Sequence, residues 1–161
     1  MSDSKMRNAL ILMSMLFLIL NGCKNGVFYH DIQTIENGIW KYDDPKSFTF
    51  SVEDTLTFYD LLVEVKHDKR FPYQNLYLQL ITSIPEEDSV DDILSIDLAD
   101  YSGNKYGACG RNQCTFQVPV QQSFKFEKNG SYEISISQHS RIDSLPGISA
   151  IGLLIKETSI D

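Results

Sequence analysis

The chain has 161 residues, 42% of them hydrophobic, with 14 basic and 22 acidic side chains and a formal net charge of −8. That length and apolar content suit one domain with a real core. The acidic balance excludes nucleic acid as the natural partner and argues against lying flat on anionic lipid.

The first element is an apolar run from Ala9 to Leu20, broken only by Ser14 and preceded by Lys5 and Arg7. As a helix it would reach ~18 Å at about 1.5 Å per residue, against a hydrocarbon core of ~30 Å. The run is short for a span. It has the charged start, brief apolar middle and small residue of a secretory signal. Leu20-Asn21-Gly22-Cys23 resembles a bacterial lipobox. The resemblance implies cleavage between Gly22 and Cys23 and a diacylglyceryl group on the Cys23 sulfur. An ordinary signal peptide with an incidental cysteine is the alternative. Each buried methylene contributes about 0.8 kcal/mol, and two acyl chains hold where one does not. The expected organisation is a signal peptide over 1–22, a lipidated N-terminus and tether over 23–37, and one domain over 38–161.

From Gly38 the pattern alternates with period two. Phe48, Phe50 and Val52 share a face, as do Tyr59, Leu61, Val63 and Val65. Leu76, Leu78 and Leu80 follow, then Leu94, Ile96 and Leu98. Phe116, Val118 and Val120, then Tyr132, Ile134 and Ile136, and last Ile151, Leu153 and Ile155 complete the series. Asp43-Asp44-Pro45 and Ser102-Gly103-Asn104 read as turns, and Asn129-Gly130 as a hairpin turn between Phe124-Phe126 and the Tyr132 strand. Thr55–Leu61 and Ser140–Leu145 each have room for one helical turn. These strands predict an all-β chain, a single antiparallel β-sandwich of jelly-roll-like or immunoglobulin-like form. Long, uneven connections lean toward the jelly roll.

Cys109 and Cys114, in CGRNQC, are expected to form a local disulfide outside the cytoplasm, with free thiols or a metal site as alternatives. A zinc site needs further ligands, and His30, His67 and His139 stand alone. Glu86, Glu87, Asp88, Asp91 and Asp92 read as a solvated acidic loop without EF-hand order. No GxSxG, HExxH or phosphate loop is present. No catalytic residue, metal or cofactor is expected.

Four blocks then stand in one order. They are FPYQNLYLQL (71–80), LADYSGNKYGACG (98–110), NGSYEISISQHSR (129–141) and LPGISAIGLLIKE (145–157). With the lipobox in front and Trp40 at the opening strand, the chain resembles the gliding motility-associated lipoprotein GldH family over roughly residues 18–157. The resemblance implies a non-enzymatic component of the gliding and associated secretion machinery, lipid-anchored in the cell envelope and working through other envelope proteins. Phe71 stands where Tyr is expected, and His139 where an apolar residue is. The loops around 67–75, 100–114 and 139–148 are the expected interaction surfaces, with Tyr73, Asn75, Asp100, Gly103, Arg141 and Gly147 singled out. With no sorting signal evident at Lys24-Asn25, a periplasm-facing position is the default. The runner-up is a lipid-anchored carbohydrate-binding module using Trp40, Tyr42, Tyr101 and Tyr106.

Overall fold

A computed structural model describes residues 26–158. The signal segment, Gly22 and Cys23 lie outside the described residues. The strands are β1 (Val27–Thr34), β2 (Ile39–Lys41), β3 (Lys46–Val52), β4 (Tyr59–Asp68), β5 (Asn75–Ser83), β6 (Val90–Asp97), β7 (Ala108–Cys109), β8 (Gln113–Phe124), β9 (Gly130–Gln138), β10 (Ser144–Pro146) and β11 (Ile148–Glu157). Among the described residues the only helical element is a 3-10 turn at Glu36–Gly38.

Two antiparallel sheets run β1-β11-β4-β8-β7 and β3-β9-β5-β6, with β10-β2 as a small third pair. Without the short β2, β7 and β10, the long strands pair in nested fashion. First meets last (β1 with β11), then β3 with β9, β4 with β8, and β5 with β6. This is one long hairpin with its tip at the β5–β6 connection. Rolling it brings β11 against β4 and β9 against β5. The product is a jelly roll, so the strand order decides between the two sandwich forms.

The alternation in the sequence builds the core. In β3, Phe48, Phe50 and Val52 are buried and Ser47, Thr49 and Ser51 exposed. β11 departs from alternation: Ala150–Ile155 are all buried, with Gly152 on the outward face covered by Ile32 of β1 and Glu64 of β4. Each fully buried Leu, Ile, Val or Phe stabilises by about 1.5–3 kcal/mol. At the end where the described chain begins, Phe28, Phe50, Tyr59, Phe124, Phe126 and Tyr132 cluster with ring centroids 4.9–6.3 Å apart. A bulge in β1 between Val27 and Tyr29 lets the consecutive rings of Phe28 and Tyr29 both reach Phe50. The acidic loop lies at this same end, with Pro85 against Gly130 and Lys128 paired to Glu87 at 2.7 Å.

Several expectations need correction. The tether cannot extend to residue 37, because Val27–Thr34 is a sheet strand paired with β11. Its amphipathic pattern is weak because β1 is an edge, half-exposed on both faces. Asn129-Gly130 is not a hairpin turn. β8 and β9 belong to different sheets, and the segment carries Phe126 across the end of the core. The 55–61 stretch is not helical: Asp54 Oδ1 accepts the Leu56 N–H at 2.7 Å in a side-chain turn, and β4 starts at Tyr59. Residues 144–146 form β10 rather than a helical turn.

Gly152 sits where β11 runs closest under β1. An added Cβ would lie 2.9 Å from Ile32 Cγ1 and 3.0 Å from the Asp31 carbonyl. The carbonyl belongs to a paired backbone and cannot retreat. Gly152→Ala is therefore expected to cost about 1–3 kcal/mol by overpacking, read as a lowered urea midpoint.

His67 is fully buried on the inner face of β4. Its Nδ1–H donates to the Asp68 carbonyl at 2.9 Å, and Nε2 has no partner among the described residues. Burial pushes the imidazole below its ordinary value, and the Lys105 charge adds to this. The Asp68 carbonyl and carboxylate oppose it. The folded state thus resists a proton that the unfolded chain accepts near pH 6.5. Stability should fall as pH drops below about 6.5 and be insensitive to this group above it. Urea titrations between pH 7.5 and 5 should show this slope in the wild type and a flatter one in His67→Phe.

Candidate functional site

At the end opposite the aromatic cluster, β9 pairs with β5 only as far as Gln138 against Leu78. The His139 N–H makes one more bond, to the Tyr77 carbonyl at 2.8 Å. The chain then leaves the sheet. Gln138 causes the departure. Its side chain is buried in register with Tyr132, Ile134 and Ile136. Its Oε1 accepts the Ser140 N–H at 2.9 Å, and its Nε2 donates to the carbonyls of Ile142 (2.9 Å) and Asp143 (3.3 Å). One amide thus satisfies three backbone groups of a loop that no strand covers.

The departing loop leaves a cleft of about 540 Å³ beside the start of β5. Tyr73, Asn75 and Tyr77 form one wall, and His139, Ser140 and Arg141 the other. Leu145 closes the floor, held in β10 opposite Trp40 of β2. Trp40 is buried, with its indole N–H on the Asp44 carbonyl at 2.8 Å. Behind the loop, Tyr42, Gln79 and Ser137 line a second hollow of about 470 Å³ that shares His139, Ser140 and Arg141. The Tyr42 hydroxyl donates to the Ser140 carbonyl and pins the loop from that side. Arg141 is exposed and makes no ion pair among the described residues.

Of the residues singled out from the sequence, Tyr73, Asn75 and Arg141 meet in this cleft. The others surround it. Asp100 organises a turn: its Oδ1 accepts the N–H groups of Ser102 (2.8 Å) and Asn104 (2.9 Å), and its Oδ2 accepts the Asn104 amide at 2.8 Å. The Asn104 amide, with these backbone N–H groups, holds its carboxyl below the usual range. Gly103 supplies the φ of +86° that the turn needs. The turn leads to Lys105, whose Nζ donates to the carbonyls of Phe71 (2.7 Å) and Tyr73 (3.3 Å) and so fixes that wall of the cleft. Gly147, at φ +92°, passes under the Phe71 ring, where a Cβ would sit 3.0 Å from Cδ2.

Cys109 and Cys114 are joined by a disulfide across the β7–β8 hairpin, facing each other in register. Trp40 is core and offers no surface, and Tyr106 packs on Phe116 at 5.7 Å. Tyr101 stands 99% exposed at a turn with nothing around it. Of the four proposed sugar-binding aromatics none lines the cleft itself, and only Tyr42 reaches the hollow behind its loop. Tyr77, Gln138 and His139 were not singled out. A polar Gln138 continuing a buried face is the signal that marks it. Among the described residues no group of three His, Cys, Asp or Glu could hold a metal, and no helix is long and apolar enough to cross a membrane.

The GldH lipoprotein family model matches residues 27–155. A gliding motility lipoprotein GldH homolog of Christiangramia forsetii is 24% identical over 162 residues, covering 95% of this chain and 99% of its own. The gliding motility lipoprotein GldH of Flavobacterium johnsoniae is 24% identical over 160 residues, covering 95% and 98%. Among solved structures, those of the infectious bursal disease virus Gx strain and of its VP2 subviral particle align with TM-scores of 0.35 and 0.33 at 14% and 16% identity. Both alignments cover 81% of this chain, which spans about a third of the length of those viral chains.

Removing the brace should open the site. Gln138→Ala removes three part-buried hydrogen bonds, to Ser140, Ile142 and Asp143, and is expected to cost on the order of 1–3 kcal/mol. Gln138→Glu should fail similarly, because a carboxylate cannot donate to Ile142 and Asp143. Urea denaturation reads the first effect, and faster amide exchange over 139–143 the second.

Proposed function

Because the chain belongs to the GldH lipoprotein family, a family of gliding motility lipoproteins, we propose that it works without catalysis, as an envelope component that binds other gliding or secretion proteins. The family match over residues 27–155 carries this reading. We take Cys23, after cleavage behind Gly22, as the point of lipid attachment and the periplasm-facing side as the working position.

The geometry supports a lipid-hung binding body. The Gly26 carbonyl accepts the Glu157 N–H at 2.6 Å, at the end of β11 that pairs with Tyr59. The cleft lies beyond the other end of β4, where His67 and Asp68 meet Ile148 and Gly147. Ten residues of β4 separate these ends, roughly 30 Å at about 3.3 Å per residue. Only Lys24 and Asn25 stand between Cys23 and Gly26, so the anchor would sit under one end and the cleft would face away from the bilayer. Tethering then raises the effective concentration for a neighbouring partner without any new contact.

Metabolic palmitate labelling should mark the wild type and not Cys23→Ala, and the variant should leave the membrane fraction. Crosslinking in intact cells should recover gliding or secretion proteins with the anchored form. An unlabelled wild type, or a Cys23→Ala form that stays membrane-bound and functional, would overturn the proposal.

A further inference from the structure

We infer that the cleft between Tyr73-Asn75-Tyr77 and His139-Ser140-Arg141 is a binding site for an acidic saccharide. The inference rests on the cleft alone and does not require the anchor or the family role.

Three observations meet there. Tyr73 and Tyr77 in the cleft are 39% and 43% exposed, and Tyr42 in the hollow behind the loop is 43% exposed, so each offers part of its ring to solvent. Their backbones are held in place. Tyr73 is fixed by Lys105 and by its edge-on ring contact with Phe71 at 5.4 Å. Tyr77 lies in a paired strand and accepts the His139 N–H. A rigid, half-exposed phenol is a surface for the C–H face of a pyranose, at low entropic cost.

The groups between the rings both donate and accept. The Asn75 amide donates weakly to Ser95 Oγ at 3.4 Å. Behind the loop, in the second hollow, Gln79 gives its N–H₂ to Asp91 at 2.9–3.0 Å, which leaves its carbonyl as the available acceptor. Ser140 adds a hydroxyl on the wall the two hollows share, and Ser137 one in the hollow behind the loop. Mixed donors and acceptors suit sugar hydroxyls, which are both. Arg141 borders both hollows without a carboxylate partner among the described residues, in a chain of net charge −8. Its planar fork pairs with a carboxylate through two parallel bonds.

A peptide fits less well. Peptide anchors need an open apolar pocket; Leu145 on the floor is 1% exposed, which leaves Ile142, 38% exposed, as the one open aliphatic side chain lining the cleft among the described residues. Adding a peptide strand needs a free sheet edge. Tyr77 has already given its carbonyl to His139, so by strand alternation only its N–H and the backbone groups of Asn75 remain aimed at the cleft, an edge of two residues.

The test uses the detergent-solubilised full chain on an array of uronic-acid and sialic-acid oligosaccharides printed beside their methyl esters, with hexaglutamate as the acidic peptide. Saturable binding to an acidic glycan is expected, at least tenfold weaker for its ester and for Arg141→Gln, and lost in Tyr77→Ala. A charge-assisted hydrogen bond corresponds to a factor of about ten to a hundred. Arg141 is exposed, so an unchanged urea midpoint separates lost binding from lost folding. No acidic glycan bound, equal binding of the esters, undiminished binding by Arg141→Gln, or hexaglutamate bound as tightly would each overturn the inference. None of these results bears on palmitate labelling at Cys23.

Discussion

The structure depends on the last strand lying in the middle of a sheet. β11 pairs with β1 on one side and β4 on the other, over seven and nine residue positions. Without it the first strand has no partner, and the inner faces of β4 and β3 lose Ile151, Leu153 and Ile155, which fill the space between the sheets. Its near-continuous apolar sequence matches its burial on both faces over Ala150–Ile155. Such a topology makes most contacts non-local, so closing the ends costs loop entropy before the core compensates for it.

The same rolling creates the site. A nested hairpin must let some strands end before their neighbours, and at the far end β9 stops three residues short of the start of β5. A bare strand edge there would leave unpaired backbone. There the His139 N–H caps the Tyr77 carbonyl, and the Gln138 amide holds the β9–β10 connection that runs past the edge. The β2–β10 pair supplies the floor, through Leu145 against Trp40. The cleft is therefore a product of how the sandwich is closed, framed by backbone and buried side chains rather than by free loops.

The core was readable because period two needs only local sequence. Phe48-Phe50-Val52 and Tyr132-Ile134-Ile136 declare their faces without reference to partners. Edge strand β1 was not readable, since an edge buries little and its residues carry little apolar signal. Asn129-Gly130 misled for a related reason: turn chemistry fixes a local bend and not which sheet receives the next strand. Tyr73, Asn75 and Arg141 stood out through resemblance to a family, yet their meeting across 66 to 68 positions is a tertiary fact. Gln138 could have been found from pattern alone, as an amide where the register calls for an aliphatic side chain. Asp100 shows the converse. A loop carboxylate that looks available in sequence is consumed by its own turn.

The acidic β5–β6 connection, with Glu86, Glu87 and Asp88, shares its end of the molecule with Gly26, while Asp91 and Asp92 are paired within β6. For a body suspended from a bilayer by its first residue, that end faces the headgroups. Anionic lipids would push the carboxylates outward over a Debye length of about 8 Å. With the anchor proposed at Cys23, acyl chains would pull down at one point while the rim was repelled around it. That balance would favour an upright posture over a reclining one, and would set the height at which the opposite face is displayed.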